Sequence, residues 1–221
     1  MKLTKNNIAI IASDNCICKW VAEEGRLDHD QNLLPIVLQY INEGDTVIDC
    51  GAFIGDHTIA YSNKVGDSGL VIAFEPSTEA NECLEYNLKK KDNTIIRKQG
   101  LGEKTESKGI RAVEGNSGMN YLIEGNDISI MSIDELNLNK LDFIKIDCEG
   151  YELNVLKGGI NTINKFKPKM LIEINDMTLE RSGMKRKDIF NFLDSINYSY
   201  SNIYKSQGLK EYQMDVICLP R

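Results

Sequence analysis

The chain has 221 residues, enough for one good-sized domain or two very small ones. Its 42% hydrophobic and 27% charged residues are ordinary globular composition, and a net charge of −7 argues against a general nucleic-acid or anionic-membrane surface. No run is long enough to span a membrane, and residues 8–12 are too short for the apolar core of a secretory signal. Of the six cysteines, only Cys16 and Cys18 are close in sequence, and one intervening residue is not a zinc-ligand spacing. They read as reduced thiols of a cytoplasmic protein.

Residues 8–12 and 16–21 are short apolar runs that predict a hairpin over Ser13-Asp14-Asn15. Trp20 lies in the second run, and the acidic-polar stretch Leu27-Asp28-His29-Asp30 follows. A helix is predicted over about 33–42, with Leu33, Leu34, Val37, Leu38 and Ile41 on one face. Pro35 is tolerated in its first turn, and Gly44 ends it. Residues 1–43 thus read as a small N-terminal cap.

From Thr46 the pattern alternates between strand and helix. Strands are predicted at 46–50, 70–74, 94–98, 141–147 and 169–174, and helices at 56–63, 78–91, 152–157 and 185–195. The stretch 103–133 breaks the rhythm. Gly109, Gly115, Gly118 and Gly125 lie between short alternating runs there, which predicts an inserted hairpin or irregular lid. Two last strands, 197–203 and 212–219, flank a turn around Gln207-Gly208 and have no helix between them, so they pair antiparallel. The fold class is therefore α/β: a doubly wound, mostly parallel seven-stranded sheet with an antiparallel C-terminal strand, in one domain.

The loop Asp49-Cys50-Gly51-Ala52-Phe53-Ile54-Gly55 joins a strand to a helix that begins Asp56-His57-Thr58. Glycines let a backbone approach a ligand, and the N–H groups of a helix start favour a carboxylate or phosphate. The spacing lacks GxGxxG, which counts against dinucleotide binding. Glu75, ahead of Pro76, ends the second strand where a carboxylate can accept both ribose hydroxyls. A third cluster runs Lys145-Ile146-Asp147-Cys148-Glu149-Gly150-Tyr151-Glu152, and a fourth Leu171-Ile172-Glu173-Ile174-Asn175. Both lie at carboxyl ends of strands, where ligands bind in open α/β sheets. A tight turn without ligand, a solvated strand-end acid and a structural salt-bridge network are the corresponding structural alternatives.

Together these residues resemble the FkbM-type family of S-adenosylmethionine-dependent class I methyltransferases. The resemblance runs from about Asp45 to Asn175. It includes Phe74-Glu75-Pro76, Ser132-Ile133-Asp134-Glu135-Leu136, the Lys145–Glu152 stretch with Val155-Leu156-Lys157-Gly158-Gly159, and Lys167-Pro168. Phe53 stands where this family usually has asparagine.

The resemblance implies a Rossmann-like methyltransferase fold, with 44–221 as catalytic core, and O-methylation of a hydroxyl on a sugar or natural-product acceptor. Gly51, Ala52 and Gly55 would bound the methionine part of S-adenosylmethionine, with Asp49, Phe53, His57, Thr58 and Asp147 around it. Glu75 and Pro76 would hold the ribose, and Gly100 and Leu101 would line the adenine. Asp147, Glu149 or His57 would serve as base. Magnesium is a conceivable addition, but a salt bridge with Lys145 accounts for the same acids, so no metal ligand is assigned. An NAD-dependent oxidoreductase and a non-catalytic cofactor-binding module are the competing readings. A small-molecule or glycan acceptor is expected, with no nucleic acid and no membrane. Trp20, Tyr121 and Tyr151 are candidates for stacking on a sugar ring, and His29 for a surface or lid position.

Overall fold

The short apolar runs are buried on both faces, as parallel strands covered by helices must be. A computed structural model describes residues 1–28, 30–204 and 212–221. Seven strands, β1 (Thr46–Cys50), β2 (Leu70–Phe74), β3 (Thr94–Arg97), β4 (Phe143–Ile146), β5 (Lys169–Asn175), β6 (Tyr198–Tyr204) and β7 (Gln213–Pro220), form one sheet. Their order is β6-β7-β5-β4-β1-β2-β3. β7 is antiparallel to both β5 and β6, and the remaining pairs are parallel. The chain winds outward from β1 to β3 and then returns to place β4 on the other side of β1. That reversal opens a crevice at the carboxyl ends of β1 and β4.

Eight α-helices accompany the sheet among the described residues: α1 (Ile17–Glu24), α2 (Leu34–Val37), α3 (Asp56–Val65), α4 (Thr78–Leu88), α5 (Glu152–Gly158), α6 (Ile160–Phe166), α7 (Asp176–Arg181) and α8 (Arg186–Ser195). Neighbouring residues of one strand feed opposite cores. Ile48 packs with Phe74, Ile144, Leu156 and Leu193, while Val47 packs with Val37, Tyr61 and Phe143. Residues 103–133 do form a hairpin. Glu106–Arg111 pairs antiparallel with Tyr121–Met131, and Gly100–Leu101 joins them in a separate three-stranded sheet.

The N-terminal segment departs from expectation. Ala9–Ile10 pairs with Lys2–Leu3, and the second apolar run is a helix, not a strand. Asp14 explains it: its carboxylate accepts the N–H groups of Cys16 at 3.1 Å and Cys18 at 2.9 Å, anchoring the start of α1. Gly25, at φ 72°, closes the helix with its N–H on the Val21 carbonyl. The helix expected over 33–42 is short: α2 tightens into a 3₁₀ turn over Leu38–Tyr40, and Ile41 is extended. α6 and α7 replace segments read as connections. The turn around Gln207-Gly208 and His29 lie outside the described residues.

Candidate active site

β1 ends in a loop that only glycine can complete. Gly51 sits at φ 82°, and a Cβ there would lie 1.8 Å from the Asp147 carbonyl oxygen. The loops after β1 and β4 therefore touch backbone to backbone. Gly55, at φ 94°, leads into α3 beneath Leu84. Phe53 also adopts φ 47°, a left-handed conformation that asparagine takes more readily than phenylalanine. Its ring is buried and packs with Ile54, Ala80, Cys83 and the apolar residues of the cap, which offsets the backbone cost. Four amides of the loop, ahead of the helix start, bond within the protein. Gly51 and Ala52 donate to the Phe74 carbonyl at 3.1 and 3.0 Å, Gly55 to that of Ala52, and Phe53 to Glu75.

Glu75 ties this loop to the end of β2. Its Oε2 accepts from the Phe53 N–H at 2.9 Å and its Oε1 from the Ser77 N–H at 2.8 Å. Burial raises its pKa to about 7 against the pull of these two donors. The side chain lines the cavity, with Pro76, Gly100 and Leu101 beside it.

Lys145 is the buried cation at the centre. Its ammonium donates to the Gly51 carbonyl at 2.8 Å and pairs with Asp49 at 3.5 Å and Asp147 at 3.3 Å. Burial pulls its pKa down, but the Asp147 and Asp49 charges outweigh that and hold it well above the usual lysine value. Asp49 is fully buried and also accepts from the Thr58 hydroxyl at 2.6 Å. Burial raises its pKa, and Lys145 works in the opposite direction.

Beyond Asp147 the acids have no such partner. Glu149 has φ 56°, followed by Gly150 at φ 102°, packed so closely that a Cβ would meet the Thr178 carbonyl at 2.2 Å. This kink aims Glu149 at Asp147 and Glu173. One carboxylate oxygen from each of the three lies within 4.8 Å of the others. No ion pair joins Lys145 to Glu149 or Glu173 among the described residues, so Lys145 accounts for only part of the cluster. Burial first, then Asp147 and Glu152, raises Glu149 to about 8. Glu152 turns its Oε1 to the N–H groups of Cys148 and Gly150 at 3.2 and 3.0 Å, holding the kink in place.

His57 lies on the first turn of α3, with Nδ1 3.1 Å from the Tyr61 hydroxyl and Nε2 4.0 Å from both Asp30 and Asp56. Burial lowers its pKa, which favours the neutral ring.

These groups share one cavity of about 1090 Å³. Its walls hold Gly51, Phe53, His57, Glu75, Pro76, Gly100, Leu101, Asp147 and Glu149. Asp49, Ala52, Gly55 and Thr58 lie behind that wall as supports. The cap contributes Cys16, Ile17 and Trp20 as a rim, and the insertion contributes residues 116–120.

The methyltransferase FkbM domain pattern matches residues 49–200, more than half of the chain. The chain belongs to the FkbM methyltransferase family. It is similar to the hexuronic acid methyltransferase AglP of Haloferax volcanii, with 28% identity over 178 residues, 77% of this chain and 70% of that protein. The FkbM methyltransferase structure from Methylobacillus flagellatus KT superposes with a TM-score of 0.57 at 20% identity. It covers 79% of this chain, which spans 43% of that protein's length. A S-adenosylmethionine-dependent methyltransferase from Aquifex aeolicus superposes with a TM-score of 0.54 at 14% identity, covering 90% of this chain and 98% of that one. These relatives are methyltransferases, and nothing among them favours the oxidoreductase reading.

As an FkbM methyltransferase the chain is S-adenosylmethionine-dependent, and its residues fit that group. The loop, where a Cβ at Gly51 would strike the Asp147 carbonyl, runs beside an acid at the second strand end and a wide cavity. Sequence reading left some cavity residues unassigned. Lys145, Glu173 and Asn175 were visible as polar breaks in apolar strands, although only tertiary structure turns them inward. Asp30 and Asp215 carried no local signal. Of the three aromatics considered for stacking, Trp20 lines the cavity. Tyr151 instead donates its hydroxyl to Glu106 at 2.8 Å, and Tyr121 lies under the Arg181 guanidinium.

Proposed function

We propose that this FkbM methyltransferase moves the methyl group of S-adenosylmethionine to a hydroxyl oxygen of a sugar or similar polyol. The observation that carries the reading is Glu149, a half-buried carboxylate held by a left-handed kink after the strand beside the glycine loop, inside one cavity with Glu75. The similarity to a hexuronic acid methyltransferase supports a sugar acceptor.

The bound sulfonium supplies an activated methyl group, so the protein's task is alignment and removal of a proton. Gly51 would bound the methionine end, with Ala52 supporting the loop from behind, and Glu75 would accept from the ribose. Asp49, fixed by Thr58 and Lys145, keeps the loop in shape. Glu149 takes the proton from the acceptor hydroxyl. Asp147, held by Lys145, stands beside it and fixes the acceptor. His57, buried and neutral, orients Asp30 and Asp56 at the rim. The cap and the insertion hairpin select the acceptor, with Trp20, its ring under the Arg26 guanidinium, at the rim.

Thermal-shift screening with S-adenosylmethionine, S-adenosylhomocysteine and NAD, followed by mass-spectrometric assay on a panel of sugars, tests this. The expected result is stabilisation by the first two ligands and a gain of one methyl on a hydroxyl. Stabilisation by NAD alone refutes the reading. Donor binding without turnover on any acceptor favours a non-catalytic module.

A further inference from the structure

The acidic end of the cavity holds more carboxylates than one proton transfer requires. Glu149 comes from the loop after β4, Glu173 from β5 and Asp215 from β7, and all three line the cavity. Glu173 and Asp215 stand directly opposite each other in the antiparallel β5–β7 ladder, where facing like charges are unfavourable. Asp215 is 9% exposed, and among the described residues no hydrogen bond or ion pair reaches its carboxylate. Glu149 Oε2 is also buried without a hydrogen-bond partner.

The surroundings do little to neutralise them. From β4, Lys145 engages Asp49 and Asp147. Glu152 of α5 and Asp30 of the cap add negative charge. Arg181 of α7 acts on Glu149 from a distance, and Gln213 of β7 donates to Glu173 at 2.6 Å. Carboxylates this close in a poorly solvated pocket do not all ionise, and they titrate as a unit. Burial followed by the Asp147 charge raises both Glu173 and Asp215, the latter to about 7.

We propose that Glu173 and Asp215 join Glu149 in a proton store for methyl transfer, so that the site holds one more proton over the thioether product than over the sulfonium donor. It rests on the methyl transfer proposed above. The step balances. The S–CH3 bond breaks with its electron pair left on sulfur, and the O–CH3 bond forms. The acceptor O–H bond breaks, and its proton passes to Glu149 and is shared with Glu173 and Asp215. Positive charge lost at sulfur returns as a proton on the adjoining carboxylates. Glu149 is the catalytic residue here, while Glu173 and Asp215 are positioning residues that set where its proton resides.

Isothermal titration of the full chain with S-adenosylmethionine and with S-adenosylhomocysteine, each in two buffers of different ionisation enthalpy, reads the protons exchanged. A chelator keeps stray cations off the acids. Near pH 7.5, product binding should take up about one proton more than donor binding. Glu173→Gln and Asp215→Asn should each cut that difference by at least half while both ligands still bind. Glu124→Gln, at an exposed acid outside the cavity, should leave it unchanged. Equal proton counts in the wild-type protein overturn the proton store and leave methyl transfer intact. An undiminished difference in both folded variants overturns the roles of Glu173 and Asp215. Failure of both ligands to bind overturns the methyl-transfer reading itself.

Discussion

Glu149 owes its chemistry to its neighbours more than to its own side chain. A base must be ionised, and burial with Asp147 and Glu152 close by places its titration at about 8. The expected kcat/KM for the methyl donor therefore rises with pH through about 8 and levels off above it. Glu149→Gln should lose about 100-fold or more in turnover and flatten this rise, measured by methyl incorporation across a pH series. A normal profile in the variant would assign the base elsewhere. Glu75 does two jobs in the proposed site, because the carboxylate offered to ribose also holds the Phe53 and Ser77 amides. Glu75→Ala should weaken S-adenosylmethionine binding by about 1–3 kcal/mol. It should also lower the thermal midpoint of the ligand-free protein. Calorimetric affinity equal to wild type would remove Glu75 from the donor site.

At the level of elements, the rim of the cavity is closed by one buried carboxylate. Asp14 accepts from Cys16 and Cys18 at the start of α1 and, through its other oxygen, from the Ser117 N–H at 2.7 Å. The Asn15 N–H adds a bond to the Gly115 carbonyl at 2.8 Å. Cap and insertion, a hundred residues apart in sequence, thus meet over the cavity mouth. Asp14→Ala leaves several amides without their acceptor and should cost about 1–3 kcal/mol. Because the lost bonds are local, limited proteolysis should cut first within residues 112–120, while the sheet stays protected. Uniform loss of protection across the chain would show that the clasp is part of the global core. The hairpin expected over residues 8–21 failed for the same reason. Alternation in a short apolar run does not separate strand from helix, and Asp14 and Gly25 were the start and stop signals that decide it.

For the molecule as a whole, the site imposes a pH dependence opposite to that of salt-bridged acids. Burial raises Glu75, Glu152 and Asp215 to about 7 and Glu149 to about 8. The folded state then keeps protons that the unfolded chain releases, so this contribution is full at low pH and is lost as pH rises through about 8. The acids held low, Glu124 and Glu135, shift below 4.5 and do not offset it in that window, while His57, lowered by burial, opposes it as one group against the raised acids, Asp49 and Glu173 included. The ligand-free protein should therefore have a higher thermal midpoint near pH 5 than near pH 8. Differential scanning calorimetry across that range checks the sign. A midpoint rising with pH would mean that these acids are ionised in the native state.

The parallel sheet, its antiparallel last strand and the two ends of the proposed donor site are legible in the residues alone. Buried strands must be continuously apolar, so Asp49, Glu75 and Lys145 stand out as exceptions, and the glycines mark where the backbone needs positive φ. Which acids meet depends on how the strands are ordered in space. Asp215 lies in β7, far along the chain from Asp147, and reaches the same cavity because β7 inserts beside β5. The burial of the Phe53 ring likewise comes from the cap, which lies outside the local motif. Contacts of this kind depend on strand order and on packing across the sheet, which no short stretch of sequence encodes.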